Sequence, residues 1–192
     1  EIDGIGDKKV EKILEAFKEQ RELRDIMVFL QQYDISPSYG IRIYKKYGSE
    51  TIKIISENPY KLSEDVFGIG FKTADKIAQN MGIEVDSPYR VNAGIKYALL
   101  EYAGKGHSYV PKEKLLERSK EILNVNEEIL EESIRELAIG GEIKLEVVDE
   151  KVLVYYMPFY VAENNVCKKI IELSRVELDS LQLDVEKGIE TI

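Results

Sequence analysis

One cysteine, one histidine and no apolar run approaching the roughly 20 residues that span a bilayer set the first limits on this 192-residue sequence. Cys167 alone forms no internal disulfide and fits a reducing cytoplasm. A single histidine beside a single cysteine leaves no His/Cys cluster for a metal. His107, in the Gly-rich corner after Gly104-Lys105-Gly106, reads as a surface or capping residue rather than a catalyst. Nothing at the start has the pattern of a signal peptide, so no membrane contact and a cytoplasmic location are expected. A nucleotide-binding phosphate loop is also missing. Lys72-Thr73 follow Gly70, but that loop needs glycine directly before the lysine and another five residues earlier, where Phe71 and Val66 stand. The chain opens at Glu1, inside a motif, and so reads as a piece of a longer protein.

Positive charge is scarce as well: 27 Lys+Arg face 36 Asp+Glu, a net charge of -9. Nucleic-acid binding driven by lysine and arginine displacing counterions is disfavoured by that balance. The deficit is uneven, however. Residues 1–106 hold 16 basic and 17 acidic side chains, whereas residues 107–192 hold 11 and 19. The first half is near neutral, and a site that holds phosphate through backbone N–H groups needs few basic side chains.

Such a site is legible in Val66-Phe67-Gly68-Ile69-Gly70-Phe71-Lys72-Thr73-Ala74-Asp75-Lys76-Ile77-Ala78. Two glycines around one isoleucine make a tight turn that lets backbone approach a ligand. Ile69 is expected to plug inward. The N–H groups of Gly68, Gly70, Phe71 and Lys72 form an anion-binding concavity, completed by the positive end of the helix that Ala74, Ile77, Ala78 and Met81 pattern. Lys76 adds charge one turn on. The pattern recurs at the start of the chain, where Gly4, Ile5 and Gly6 precede Lys8 and Lys9. A weaker copy lies between them at Asp34-Ile35-Ser36, with both glycines gone, and is expected only to pack. Ile5, Ile35 and Ile69 are 30 and 34 residues apart, a period suited to stacked helical units.

Gly-Ile-Gly followed by a basic residue and an amphipathic helix resembles the helix-hairpin-helix motif of DNA-binding proteins. The wider string from Arg24-Asp25-Ile26-Met27 through Arg42-Ile43-Tyr44-Lys45-Lys46-Tyr47-Gly48 and Glu57-Asn58-Pro59-Tyr60 to the Gly68 hairpin resembles the region ahead of the motor in RecD/TraA-like helicases, the exodeoxyribonuclease V alpha-chain type. The likeness is strongest over residues 1 to 95. Leu183 to Ile192 resembles the opening of the ATPase domain in the same helicases.

Along the chain, apolar spacing predicts a helix on Val10, Ile13, Leu14 and Phe17, a polar break near Glu19–Arg21, and a second helix on Leu23, Ile26, Met27 and Leu30. Ser36-Pro37 starts the next helix and Gly48 ends it. Another covers Ile52–Glu57, stopped by Asn58-Pro59. Gly82 and the polar stretch Glu84–Pro88 mark a boundary. Helices on Val91–Tyr102, from Pro111 to Leu123, and on Asn126–Ile139 follow. Alternation at Ile143, Leu145 and Val147, a turn at Asp149-Glu150, and Val152, Val154 and Tyr156 then predict a β-hairpin. Three helices before a β-hairpin is the order of a winged helix. Its third helix carries Glu127, Glu128, Glu131, Glu132 and Glu136 against Arg135 alone, so a spacer or protein-contact role is expected of this unit. Pro158, Phe159 and Tyr160 are expected to close it, and Asn164–Arg175 to form a further helix.

The expected architecture is therefore mainly α: tandem helix-hairpin-helix repeats over 1–86, a winged-helix-like three-helix plus β-hairpin unit over 87–160, and a helix and linker over 161–192. The resemblance implies a DNA-binding accessory region of a five-prime to three-prime helicase of repair and recombination, non-specific for sequence, with DNA and the motor of the same chain as partners. It implies ATP and magnesium only in that motor, with no cofactor and no catalysis in residues 1–192. Lys45 and Lys46 are expected to support the phosphate contacts. Two rival readings remain: a docking module without DNA contact, and a helix-hairpin-helix DNA glycosylase using Asp86, against which stand an ordinary helix start at Asp86-Ser87-Pro88 and repeated hairpins that do not match the glycosylase layout.

Overall fold

The computed structural model describes residues 7–175. Gly4, Ile5, Gly6 and the stretch compared with an ATPase opening lie outside the described residues. Most of the chain is helical: α1 (Asp7–Gln32), α2 (Pro37–Tyr47), α3 (Thr51–Glu57), α4 (Lys61–Asp65), α5 (Phe71–Asn80), α6 (Pro88–Ala103), α7 (Lys112–Leu123), α8 (Glu127–Ile139) and α9 (Met157–Ser174). Strands β1 (Tyr109–Pro111), β2 (Ile143–Val148) and β3 (Lys151–Tyr156) form one antiparallel sheet in the order β1-β3-β2.

Two expectations fail for identifiable reasons. The polar break at Glu19–Arg21 does not interrupt α1, which runs unbroken for 26 residues. Glu, Gln and Arg are good helix formers, and without glycine or proline a polar stretch stays helical. Residues 8–21 of α1 are exposed, so Val10, Ile13, Leu14 and Phe17 form an open stripe rather than a packed face. Pro158 does not close the preceding unit either. It sits in the first turn of α9, where its missing N–H costs nothing, and that helix begins seven residues before Asn164. Strand β1 went unforeseen because three residues are too few to alternate, although Tyr109 to Pro111 pair in register with Tyr155 to Leu153.

Two turns among the described residues follow the same backbone path. Asp34 has φ 59°, like Gly68 at φ 88°, and Ser36 and Gly70 both stand in extended conformation immediately before a helix. Between them, Ile35 and Ile69 are buried. Each isoleucine taken from water is worth roughly 2 kcal/mol, which fixes each turn from inside.

A continuous core joins these helices to α6, α7, α8 and the sheet, running from Ile26 and Leu30 through Tyr60, Phe71 and Ile77 to Ile95, Leu130 and Val154. Phe71 stacks between Tyr60 and Tyr97, with ring centroids 6.1 and 5.1 Å away. Arg90, buried in the first turn of α6, ties the same junction together. Its Nε donates to Asp75 Oδ1 at 2.8 Å, and its Nη1 to the carbonyls of Val85 and Leu123 at 2.7 and 2.9 Å. Asp75 also accepts from the Tyr60 hydroxyl at 2.7 Å; burial first, and this bond second, push the phenol's pKa up.

The β2–β3 turn places Asp149 and Glu150 at φ 49° and 65°, the geometry of a type I′ turn without its usual glycine. Glu150→Gly is therefore expected to raise stability by about 0.5–1 kcal/mol in urea denaturation, since an L-residue in the left-handed region is strained. An unchanged midpoint would show that Glu150 is not strained there.

Candidate nucleic-acid interface

The turn between α4 and α5 is built from both sides. Val66 and Ile69 are buried beneath it, and the Ile69 N–H donates to the Val66 carbonyl at 3.1 Å. Helix α2 supports it laterally: Arg42 Nη1 donates to the Phe67 carbonyl at 3.1 Å, and the Tyr39 hydroxyl to the Gly68 carbonyl at 3.3 Å. Tyr39 and Arg42, one helical turn apart, share a face, and the guanidinium lies 5.7 Å from the Tyr39 ring centroid. Both carbonyls at the tip thus have donors. The N–H groups of Gly68, Gly70, Phe71 and Lys72 find no acceptor among the described residues, and the first bonds of α5 run from Thr73 and Ala74 back to the Gly70 carbonyl. A tip whose Phe67 and Gly68 carbonyls are occupied and whose Gly68, Gly70, Phe71 and Lys72 N–H groups are free favours an anion.

The side chains of the expected site are placed as follows. Ile69 and Phe71 face the core, so each can offer a ligand only its backbone. Lys72 and Lys76 are exposed on α5 and enter no ion pair among the described residues. Lys45 is likewise exposed in the last turn of α2, whereas Lys46 is 3.7 Å from Asp65 and shares its charge with that carboxylate. Asp65 is held in addition by the Tyr47 hydroxyl at 2.9 Å. Lys8 and Lys9 lie exposed in the first turn of α1, while Gly4, Ile5 and Gly6 fall outside the described residues.

Arg42, Tyr39 and Phe67 were not singled out in the sequence. The i, i+3 spacing of Tyr39 and Arg42 was the available signal, but their partners stand 25 or more residues away. Phe67 is 92% exposed at the tip.

Acidic groups bound the site on one side. A cleft of about 540 Å³ opens beside Gly70 and Phe71, lined also by Glu64, Lys96, Tyr97, Glu101 and Glu142. Lys96 bridges Glu64 and, at 2.6 Å, Glu142, joining α4 to the start of β2. Burial pushes the Glu101 carboxyl's pKa up, but hydrogen bonds from Arg118 and Tyr97, with the charges of Arg118 and Lys72, outweigh it and hold the group below its usual range. Helix α8 presents the acidic face expected of it, with Glu131 held by Lys112 and Glu132 by Arg135. Asp86 is exposed in the α5–α6 connection. Among the described residues there is no group of three or more His, Cys, Asp or Glu side chains able to hold a metal, and no helix long and apolar enough to cross a membrane.

Comparison with known proteins matches part of this chain to a family model. The helix-hairpin-helix domain of the ATP-dependent RecD2 DNA helicase matches residues 19–109, which takes in both described turns and all of α6. The ATP-dependent RecD2 DNA helicase of Deinococcus radiodurans is 31% identical over 116 residues. The aligned part is 59% of this chain and 16% of that protein, so the chain spans a small part of its relative's length.

Proposed function

We propose that this chain, whose residues 19–109 match the helix-hairpin-helix domain of the ATP-dependent RecD2 DNA helicase, is the accessory region of such a helicase, holding DNA without sequence preference by its backbone phosphates. The observation that carries this reading is the set of free N–H groups at Gly68, Gly70, Phe71 and Lys72, on a turn whose Phe67 and Gly68 carbonyls are already bonded. Lys72, Lys76, Lys45 and Arg42 supply charge around it, and Lys46 contributes less because of Asp65. The turn at Asp34-Ile35-Ser36 is a second hairpin of the same kind turned to packing, since Pro37 has no N–H to offer. Its helix braces the first. Gly4-Ile5-Gly6 with Lys8 and Lys9 is proposed as a further phosphate-binding copy.

On this reading α6 to β3 is a winged-helix unit, supported by three helices and a three-stranded sheet ordered β1-β3-β2. Its acidic α8 suits contact with protein rather than DNA. The remainder of the parent enzyme would be an ATP- and magnesium-dependent motor moving five-prime to three-prime in repair or recombination, in the cytoplasm. A docking role draws separate support from the open apolar stripes of α1 (Val10, Ile13, Leu14, Phe17) and α9 (Val166, Ile170, Leu173).

Salt titration separates the two readings. Lys72→Ala is expected to weaken binding evenly on two unrelated DNA sequences and to lower the slope of log affinity against log salt by about one. An unchanged slope and affinity in this folded variant would transfer the site to docking, and strong preference for one sequence would contradict recognition by phosphate alone.

A further inference from the structure

Phe67 has the most exposed large apolar side chain among the described residues, and a single exposed phenylalanine on a loose loop would mean little. This loop is not loose. Val66 and Ile69 anchor it on either side, Arg42 holds the carbonyl of Phe67 itself, and the Tyr39 hydroxyl holds the next carbonyl. The ring is therefore carried into solvent on a fixed backbone, one residue from the Gly68 N–H group, about 3.8 Å along the chain. The Arg42 guanidinium adds positive charge beside it.

We infer that Phe67 stacks on an unpaired base next to the phosphate held by the Gly68 hairpin, so that this site selects single-stranded DNA or a single-strand/duplex junction over continuous duplex. The inference rests on the phosphate-binding reading above and deepens it. Aromatic rings stack on bases whatever the sequence, because every base has a π-face. In a continuous duplex both faces of each base are covered, and opening a step costs about as much as one stacked ring returns. An unpaired base, or the last base at a junction, presents a free face without that cost. The Arg42 guanidinium places positive charge on the α2 side, where Phe67 is pinned.

The test uses the full chain and three fluorescent DNAs: a thymidine homopolymer, a blunt duplex and a fork. Phe67→Ala is expected to weaken binding to the homopolymer and the fork by about tenfold while leaving the blunt duplex unchanged, and Phe67→Tyr to retain wild-type affinity for all three. A 2-aminopurine placed in the single-stranded arm should be quenched by wild type and by Phe67→Tyr, and not by Phe67→Ala. Because Phe67 buries so little surface, these variants keep the fold. Equal weakening on all three DNAs, or no change on any, overturns the base contact. If Lys72→Ala still lowers the salt slope in that case, phosphate binding stands and only the stacking falls. Wild type that binds none of the three DNAs removes the phosphate reading, and the base contact with it.

Discussion

Arg90→Ala is expected to lower stability by about 3–5 kcal/mol, the cost of breaking a buried, hydrogen-bonded ion pair from one side. The Arg90 side chain is 6% exposed and that of Asp75 15%, so neither charge is relieved by water. Alanine would leave the carboxylate with the Tyr60 hydroxyl and Gln79 as donors, and would strip the Val85 and Leu123 carbonyls of theirs. The three partners of Arg90, Asp75, Val85 and Leu123, belong to α5, the α5–α6 connection and the end of α7, so one side chain holds the hairpin against the helices that follow. Urea denaturation followed by circular dichroism should show the midpoint falling with the slope unchanged, and the melting temperature dropping by roughly 10 °C. A loss below about 1 kcal/mol would mean that Arg90 is dispensable and that apolar packing alone joins the two parts. The same tie bears on how the parts are separated for study. A chain cut near Asp86 would lose Arg90 and leave Asp75 facing a hole, so the acidic half is better tested by substituting Glu127, Glu128 and Glu136 in the full chain.

Punctuation carried much of the fold. Ser36-Pro37, Gly48, Asn58-Pro59 and Asn126 mark helix limits in the sequence because their backbone preferences are local, and α2, α3 and α8 begin or end there. Apolar spacing was less reliable where no neighbour meets the stripe: Val10 to Phe17 has the period of a packed face and remains open. Long-range partners left no trace. A buried arginine such as Arg90 looks in sequence like any solvent-facing charge, and Arg42 acquires its role only when α2 is laid against a turn 25 residues on. The Gly68–Lys72 turn was legible because positive φ at Gly68 is a demand that a sequence displays as glycine. What the sequence could not separate is the work of its two glycines.

Gly70→Val should reduce DNA affinity on the order of a hundredfold with the fold intact, the loss expected when two charge-assisted bonds from backbone N–H groups to one phosphate are removed. Gly70 has φ −93° and a Cβ built there meets nothing within 4 Å, so valine is tolerated by the protein and its side chain occupies the open space in front of the donors. Gly68 is the converse. At φ 88° an added Cβ is strained, and it would lie 2.7 Å from Arg42 Nη1, displacing the group that pins the tip. Gly68→Ala should therefore cost about 1–2 kcal/mol of stability and weaken binding by way of the misplaced turn. Melting curves and DNA titrations on both variants distinguish the two glycines. Gly70→Val with wild-type melting and lost binding places the ligand against the backbone. Gly70→Val with wild-type affinity would leave the free N–H groups without a phosphate, and the helix-hairpin-helix turn without its proposed role.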